Sequence, residues 1–256
     1  MRAAFDAQVR RATQAGGPGA RAEAAGAVVR HVAADAQGWS GVTWSQLDEG
    51  DADAVIAGQI AYFRDLGREF EWKLYDYDRP PDLGQRLAAA GLAAKDQETL
   101  MMAGLTELST DLPPPAGVRL QRVPDAAGLA SFVDVHERAF GRVSAGYRES
   151  LGTQLRVAPE ATVLVVALAG DEPVSAARME CPPGTDFASL WGGGTVPGWR
   201  RRGIYRALVA YRAQIAATRG YRYLYVDALP TSRPILSRLG FTALARTTPY
   251  RWRPAG

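Results

Sequence analysis

The sequence predicts an α/β protein in which helices flank a mixed β-sheet, because patterns typical of strands and helices alternate along most of the chain. Two observations carry this prediction. An apolar run at 161–169 is typical of a buried strand, and an amphipathic helical pattern lies between strand patterns at 187–196 and 223–227. A strand–helix–strand order of this kind indicates an α/β layer with a mixed sheet.

In the first half, alternating apolar residues predict strands, and apolar residues at helical spacing predict the helices. Strands are expected at 27–32, 41–47, 69–76 and 98–102, and helices at 2–15, 51–66 and 82–90. The cluster 16–19, which is Gly-Gly-Pro-Gly, is a breaker or a flexible joint after the first helix. Asp82 is expected to cap the third helix and Gly91 to end it.

Three consecutive prolines in 108–117 indicate a stiff, extended linker, and a second set of elements follows it. Strands are expected at 118–123, 161–169, 173–181, 187–196 and 223–227, and helices at 125–140, 145–157 and from about 200 and 232 onward. Asp125 is expected to cap the first of these helices, and Phe132 to face inward.

The segment 192–210 has the composition of an anion-binding turn. Three glycines at 192–194 suggest a bulge or the close approach of another molecule, and Pro197 and Gly198 break the strand. Three arginines at 200–202 and then Gly203 open a helix, whose first N–H groups and positive dipole end favour anions. A diphosphate fits this size better than a carboxylate does, although arginine runs are often only solvated surface.

This segment resembles the acyl-coenzyme A pyrophosphate loop of the GNAT acetyltransferases, whose pattern is Gln/Arg-x-x-Gly-x-Gly/Ala between a strand and a helix. Arg200 and Gly203 take the first two defined positions, whereas Tyr205 stands where Gly or Ala is usual. The stretch 232–241, ending in Leu-Gly-Phe, is similar to the last helix of that family. The resemblance covers 118–253.

The resemblance implies a GNAT fold, and a weak internal repeat implies two GNAT-like domains. Segment 67–102 repeats the element order of 220–252, which predicts a degenerate first domain at 1–107, a linker at 108–117 and a coenzyme-binding domain at 118–256. Where the second half has arginines at its helix start, the first has Asp48, Glu49, Asp51 and Asp53, which repel a diphosphate. The first half is therefore expected to support the fold or to form one wall of the acceptor pocket.

The resemblance also implies acetyl-coenzyme A, or another acyl-coenzyme A, as co-substrate. The residues expected to bind it are Gly194, Thr195 and Val196 on the strand, Arg200, Arg201, Arg202, Gly203, Ile204, Tyr205 and Arg206 in the loop and helix, and Ser232. For Ser232, helix capping is the main expected role and contact with the coenzyme the second. The strand glycines have an alternative explanation, which is relief of crowding under Trp191 and Trp199.

Acyl transfer requires a base for the amine and a proton for the departing thiolate. The family often places a tyrosine acid where this chain has Leu236, so the usual acid is missing. Asp227 and Glu180 end the strands on either side of the glycine-rich strand and are the candidate bases, although either carboxylate can be a surface group. His136 is expected to be a satisfied histidine at the edge of the core.

The composition of the chain bears on disulfides, metal sites, nucleic-acid binding and cellular location. The net charge is +3, Cys181 is the only cysteine, and there are two histidines, so the sequence predicts no disulfide and no zinc site. The well-mixed charge and the lack of a long apolar run predict no nucleic-acid binding, no membrane segment and a cytoplasmic location. Oligomeric state is left open, with a homodimer as one option.

These observations predict an acetyl-coenzyme A-dependent N-acyltransferase in which a small-molecule amine attacks the thioester directly. A peptide amine is the second choice of acceptor. A non-catalytic acyl-coenzyme A-binding module is the alternative class, and Leu236 is its main support.

Overall fold

The computed structural model describes residues 1–14, 19–35, 38–141 and 146–254. The chain forms two compact units that are each discontinuous in sequence. Unit 1 contains Met1–Leu100, Asp227–Pro230 and Leu244–Gly256, and unit 2 contains Met101–Val226 and Thr231–Ala243. The domain boundaries expected around the 108–117 linker stay a prediction, and the predicted joint at 16–19 begins outside the described residues.

The described strands are β1 (Arg21–Ala25), β2 (Val28–Val32), β3 (Gly41–Ser45), β4 (Phe70–Tyr75), β5 (Ala93–Ala94), β6 (Glu98–Gly104), β7 (Val118–Arg122), β8 (Thr162–Ala169), β9 (Glu172–Glu180), β10 (Phe187–Thr195), β11 (Tyr223–Ala228) and β12 (Thr242–Trp252). The described α-helices are α1 (Arg2–Phe5), α2 (Ala52–Asp65), α3 (Leu83–Ala89), α4 (Ala126–Phe140), α5 (Tyr147–Val157), α6 (Ile204–Thr218) and α7 (Arg233–Arg238). A π-helical turn, Asp6–Arg10, continues α1.

Unit 1 is built on the strand order β1, β2, β3, β4 and β12, with β5 also pairing with β12. Strands β3 and β4 are parallel and are connected by α2, whereas the other pairs in this unit are antiparallel. The apolar faces of the sheet and of helices α2 and α3 form one core, in which the rings of Phe63 and Phe70 stack with centroids 4.4 Å apart. The C-terminal strand belongs to this sheet, since Thr247–Trp252 pairs with Tyr75–Phe70.

Unit 2 repeats this plan with the strand order β11, β10, β9, β8 and β7. Strands β10 and β11 are parallel and are connected by α6, and the other pairs in this order are antiparallel. Strand β8 is buried along most of its length, as its apolar run predicts. Helices α4 and α6 both pack on β9 and β10.

Several predicted boundaries differ from the structure for local reasons. The first helix ends at Arg10 rather than at residue 15. Strand β1 was missed because the apolar residues of its sequence, Arg-Ala-Glu-Ala-Ala, are all alanines, which are depleted in strands. The repeat of element order implied a strand after Gly240, and β12 forms there although it contains two arginines and a proline, because it pairs with strands distant in sequence.

The predicted helix caps had mixed outcomes. Asp125 caps α4 as expected, because its Oδ1 accepts the N–H of Gly128 at 2.9 Å. Asp82 occupies the N-cap position of α3 but makes no capping hydrogen bond. Its Oδ2 instead accepts from Nε of Arg86 at 3.0 Å, since an arginine one turn away offers a charged donor.

A buried ion pair fastens the N-terminal segment to unit 1. The Arg10 guanidinium donates to both carboxylate oxygens of Asp78 at 2.8 and 2.9 Å and to the carbonyl of Thr43 at 3.0 Å. Both charged side chains are 2% exposed, and the Tyr75 ring lies 3.8 Å from the guanidinium carbon. Asp78 also accepts the N–H of Tyr75 at 3.0 Å, although burial outweighs these donors and raises the pKa of its carboxyl.

Replacing Arg10 with methionine should destabilise unit 1 by about 3–5 kcal/mol, because it leaves the Asp78 carboxylate buried without its cation. Urea unfolding followed by tryptophan fluorescence measures this loss. The matched control is Arg64→Met, since Arg64 pairs with Asp65 on the surface with 62% and 76% of the side chains exposed. Equal midpoints for the two variants would contradict the role assigned to Arg10.

Candidate functional site

The parallel strands β10 and β11 pair over a short stretch at the start of each strand. Phe187, Ala188 and Ser189 lie opposite Tyr223, Leu224 and Tyr225. Beyond Ser189, the described pairing of β10 is with β9 on its other side, as far as Thr195. The second part of β10 therefore has one edge that the described residues of unit 2 leave unpaired.

A β-bulge lies in this second part of β10. Trp191 is opposite Arg178 and Gly194 is opposite Ala176, so two residues of β10, Gly192 and Gly193, stand against a single residue of β9. Gly192 has φ +53°, a left-handed conformation that favours glycine. The predicted bulge is thus present and turns the backbone of β10 at this place.

The bulge glycines allow two helices to approach the strand closely. A Cβ on Gly194 would lie 2.4 Å from Cε2 of Phe140 and 2.9 Å from Cβ of Ala139, both on α4. A Cβ on Gly193 would lie 2.7 Å from Cε2 of Tyr205 on α6. The crowding that these glycines relieve therefore comes from α4 and α6, and not from Trp191 and Trp199 as the alternative explanation supposed.

The arginine run lies in the turn before α6 rather than in the first turn of the helix. Gly203, with φ +88°, is the N-cap residue, and α6 begins at Ile204. Arg201 has φ +63°, the one described non-glycine residue with a positive φ. Such a conformation in a bulky residue is costly and is often found at binding loops.

The arginines of this turn fall into two groups. Arg201, Arg202 and Arg206 are exposed, and the Arg202 guanidinium lies 4.6 Å from the Trp199 ring. Arg200 is turned back onto the protein, where Nε donates to the carbonyl of Thr195 at 3.0 Å and Nη2 to that of Ala139 at 3.2 Å. Arg200 thus holds the loop against β10 and the end of α4, whereas the other arginines leave positive charge toward solvent.

The three strand residues expected to bind the coenzyme arm already bond to β9. Val196 donates its N–H to the carbonyl of Val174 at 3.0 Å. The hydroxyl of Ser175 donates to the carbonyl of Gly194 at 2.7 Å and lies 2.8 Å from Oγ1 of Thr195. The N–H of Val196 is therefore not an available donor for a thioester carbonyl.

Several solved structures with this architecture align with nearly the whole chain. A GCN5-related N-acetyltransferase from Kribbella flavida is 19% identical, with a TM-score of 0.70 over 92% of this chain and 90% of that one. A functionally unknown conserved protein from Staphylococcus epidermidis is 10% identical, with a TM-score of 0.70 over 98% of each chain. A tandem GNAT protein from the clavulanic acid biosynthesis pathway is 14% identical, with a TM-score of 0.61 over 94% and 86%.

The chain has the GNAT fold. The agreement confirms the fold class predicted from the sequence, and identities this low show the fold alone. No protein-family model matches the sequence, and no curated protein matches it.

The ring of Tyr205, two residues after Gly203, fills the space that Gly193 leaves open. Burial raises the pKa of Tyr205, while Arg212 and a hydrogen bond with Ser232 oppose that rise. Ser232 occupies the N-cap position of α7 but makes no capping hydrogen bond, so its expected capping role is wrong. Its hydroxyl bonds to Tyr205 instead and links α6 to α7.

A buried arginine that the sequence analysis missed lies beneath the bulge. Arg212 on α6 is 1% exposed, and its Nη1 donates to the carbonyl of Arg178 at 2.7 Å while Nε donates to that of Leu208 at 3.0 Å. Burial lowers its pKa to about 10, which leaves it charged at neutral pH. The helical pattern marked Leu208 and Ile215 as apolar, but nothing in it indicated that an arginine would be buried between them.

The two candidate carboxylate bases are both paired with cations. Asp227, in unit 1, lies 3.1 Å from Nζ of Lys73, which also lies 2.5 Å from Glu98. Burial alone would lower the pKa of Lys73, but Asp227 and Glu98 outweigh burial and raise it, so the lysine stays charged.

Glu180, in unit 2, ends β9 as predicted and is held on both oxygens. Thr162 donates its hydroxyl to Oε2 at 2.9 Å, and Nε of Arg178 lies 3.1 Å from Oε1. Both carboxylates keep their predicted positions at strand ends, but neither is an unpaired base.

His136 differs from the satisfied histidine that the sequence analysis expected. It lies on α4, half-buried, within 6.1 Å of the ring centroids of Phe132, Phe140 and Tyr147. Its Nδ1 is buried and has no hydrogen-bond partner among the described residues. Burial first, and then the positive charge of Arg178, lowers the pKa of His136.

Metal and cysteine chemistry have little support in the described ranges. No group of three His, Cys, Asp or Glu side chains there could hold a metal ion, and no helix there is long and apolar enough to cross a bilayer. Cys181 is a buried free thiol whose pKa is raised by burial, which disfavours the reactive thiolate.

Replacing Gly194 with alanine should destabilise unit 2 by about 1–3 kcal/mol, because the added methyl would overlap Phe140 and Ala139. Thermal unfolding followed by circular dichroism measures the loss. Gly198→Ala is the matched control from the same segment, since a Cβ there would meet nothing within 4 Å. If both variants melted at the wild-type temperature, the close packing of α4 on the bulge would be wrong.

Proposed function

We propose that this protein is an N-acyltransferase that transfers an acyl group from acetyl-coenzyme A, or another acyl-coenzyme A, to the amine of a small molecule. One arrangement in unit 2 carries the proposal. A parallel pair of strands stops pairing, a glycine bulge follows on one of them, and an arginine-rich turn with two left-handed residues leads into a helix. The GNAT fold supports this proposal because several solved structures that share it are described as N-acetyltransferases.

The diphosphate of the substrate fits the turn before α6. The N–H groups at the start of α6 and the helix dipole favour an anion, and Gly203 lets a phosphate approach the backbone. Arg201, Arg202 and Arg206 are exposed around this turn and supply full positive charges that can grip phosphate oxygens bidentately. Arg200 has a supporting role in this proposal, since its guanidinium holds the turn in place.

The acyl group would then lie along the unpaired edge of β10, with the thioester carbonyl facing the bulge. An oxyanion that forms during acyl transfer requires a fixed N–H donor. Because the N–H of Val196 is bonded to Val174, the donor in this proposal comes from Gly192 or Gly193 within the bulge itself.

Unit 1 is proposed to have no coenzyme site of its own. Its crossover helix α2 starts with acidic residues where α6 is preceded by arginines, and Asp53 there pairs with Arg86 at 3.0 Å. Carboxylates at that place repel a diphosphate. Its proposed role is to support the fold or to contribute to acceptor recognition.

A second function, acyl-coenzyme A binding without turnover, is favoured by one observation. Leu236 stands where the family often has its tyrosine acid, and its side chain is fully buried. Thermal stabilisation by acetyl-coenzyme A, followed by assays of free thiol release with a panel of amines, separates the two functions. Stabilisation with amine-dependent thiol release supports the enzyme, stabilisation alone supports the binding module, and the absence of both rejects the coenzyme site.

Charge reversal at Arg202 should weaken the binding of acetyl-coenzyme A more than tenfold, because Arg202→Glu places a negative charge beside the proposed diphosphate. Isothermal titration at fixed ionic strength measures the affinity. Arg156→Glu is the control, since Arg156 is an exposed arginine of α5 in the same unit. An affinity within twofold of wild type for Arg202→Glu would place the diphosphate elsewhere.

A further inference from the structure

His136 is the strongest candidate for a catalytic group that neither the sequence pattern nor the fold assigns. We propose that His136 takes the proton from the attacking amine and returns it to the departing thiolate. This inference rests on the proposed acyltransferase function. It is carried by the position of the imidazole on the bulge, by its missing hydrogen-bond partner and by its aromatic surroundings.

The imidazole lies directly on the bulge of β10. A Cβ placed on Gly192 would be 3.0 Å from Cε1 of His136 and 3.6 Å from Nδ1. The ring edge that carries Nδ1 therefore faces the backbone of the residue whose left-handed conformation forms the bulge. If the thioester carbonyl faces this bulge, the reacting atoms lie within reach of His136.

Nδ1 of His136 is buried and has no partner among the described residues. A buried polar atom left in this way costs about 1–3 kcal/mol and needs an explanation, of which a catalytic role is one. Glu180 and Asp227 are held by Arg178 and Lys73, so neither competes with His136 as an unpaired base. Among the described candidates for the base, the imidazole of His136 is therefore the one that is not paired with a cation.

The groups facing His136 keep the ring neutral near pH 7. Arg178 on β9 opposes a second positive charge, and Tyr147 on α5 faces the ring as an uncharged phenol whose pKa is raised by burial. Glu180 on β9 is engaged by Arg178 and Thr162, and β10 presents glycines and Trp191. The charged residues of α4 itself, Asp134, Glu137 and Arg138, are exposed on its outer side.

His136 alone can carry the proton that moves during the reaction. The amine nitrogen attacks the carbonyl carbon and forms the C–N bond while His136 accepts a proton from that nitrogen. The C–S bond then breaks, and the sulfur leaves with the electron pair as a thiolate. The imidazolium gives its proton to the thiolate, so the products are an amide and free coenzyme A thiol. No separate acid is required, which accounts for Leu236 at the usual acid position.

Nuclear magnetic resonance of the two histidines tests the position of His136 without turnover. The chain has one other histidine, His31, so the His136→Gln variant assigns both imidazoles. Saturating acetyl-coenzyme A should shift the His136 signals and leave those of His31 in place, whereas 3′-phosphoadenosine 5′-diphosphate should shift neither. Binding of acetyl-coenzyme A, confirmed by titration calorimetry, without a shift at His136 would overturn this inference and leave the coenzyme site intact. No binding at all would reject both.

Kinetics test the proton transfer itself. His136→Gln should lower kcat by about 100-fold or more while KM for acetyl-coenzyme A stays within twofold, since a positioned base typically contributes 10²–10⁴-fold. Wild-type kcat/KM should fall as the pH drops through an apparent pKa below about 6.5, because protonation removes the base. The variant should lose this acidic limb, and His31→Gln, in unit 1, should keep it. A His136→Gln enzyme with wild-type kcat and the same limb would overturn the assignment.

Discussion

The close approach of two helices to one strand is the constraint on which the candidate site depends. Gly193 and Gly194 have no side chains, and Tyr205 of α6 and Phe140 of α4 occupy the space that a Cβ would take. Because these contacts come from helices on either side of β10, they hold the bulge from both faces. The same bulge lies against His136, since a Cβ on Gly192 would be 3.0 Å from Cε1 of the imidazole. One local packing arrangement therefore places the bulge and the imidazole together.

The hydrogen bonds around β10 show which polar groups hold the protein together and which side chains are left to contact a ligand. Arg200, Ser175 and Val196 bond to backbone groups of β10, β9 and α4, so they fasten the loop and strand together. Arg201 and Arg202 leave their guanidinium groups exposed. A rigid turn with unshared positive charge is what recognition of a diphosphate requires, because the donors need not be reordered on binding.

The sequence determined the fold class and the location of the arginine-rich turn before α6. Alternating strand and helix patterns are local properties, and they were sufficient to predict an α/β protein whose GNAT fold the structural comparisons confirm. The glycines at 192–194 predicted a bulge or a close approach because three glycines in a row weaken an ordinary strand, and the bulge is present. Asp125 could also be predicted as a cap, because capping depends on residues close in sequence.

Only the tertiary structure decided the partners of the polar side chains. Asp227 looked like an unpaired carboxylate at a strand end, and Lys73, more than a hundred residues earlier, was found to neutralise it. Arg200 and Arg201 are adjacent in the motif and both are exposed, yet the Arg200 guanidinium bonds to the carbonyls of Thr195 and Ala139. His136 could be placed on a helix face by its spacing, but its unpartnered Nδ1 depends on what β10 and α5 bring to it. The physical reason is the same in each case: periodicity records which side of an element is buried, whereas ionisation and hydrogen bonding depend on atoms that approach from distant parts of the chain.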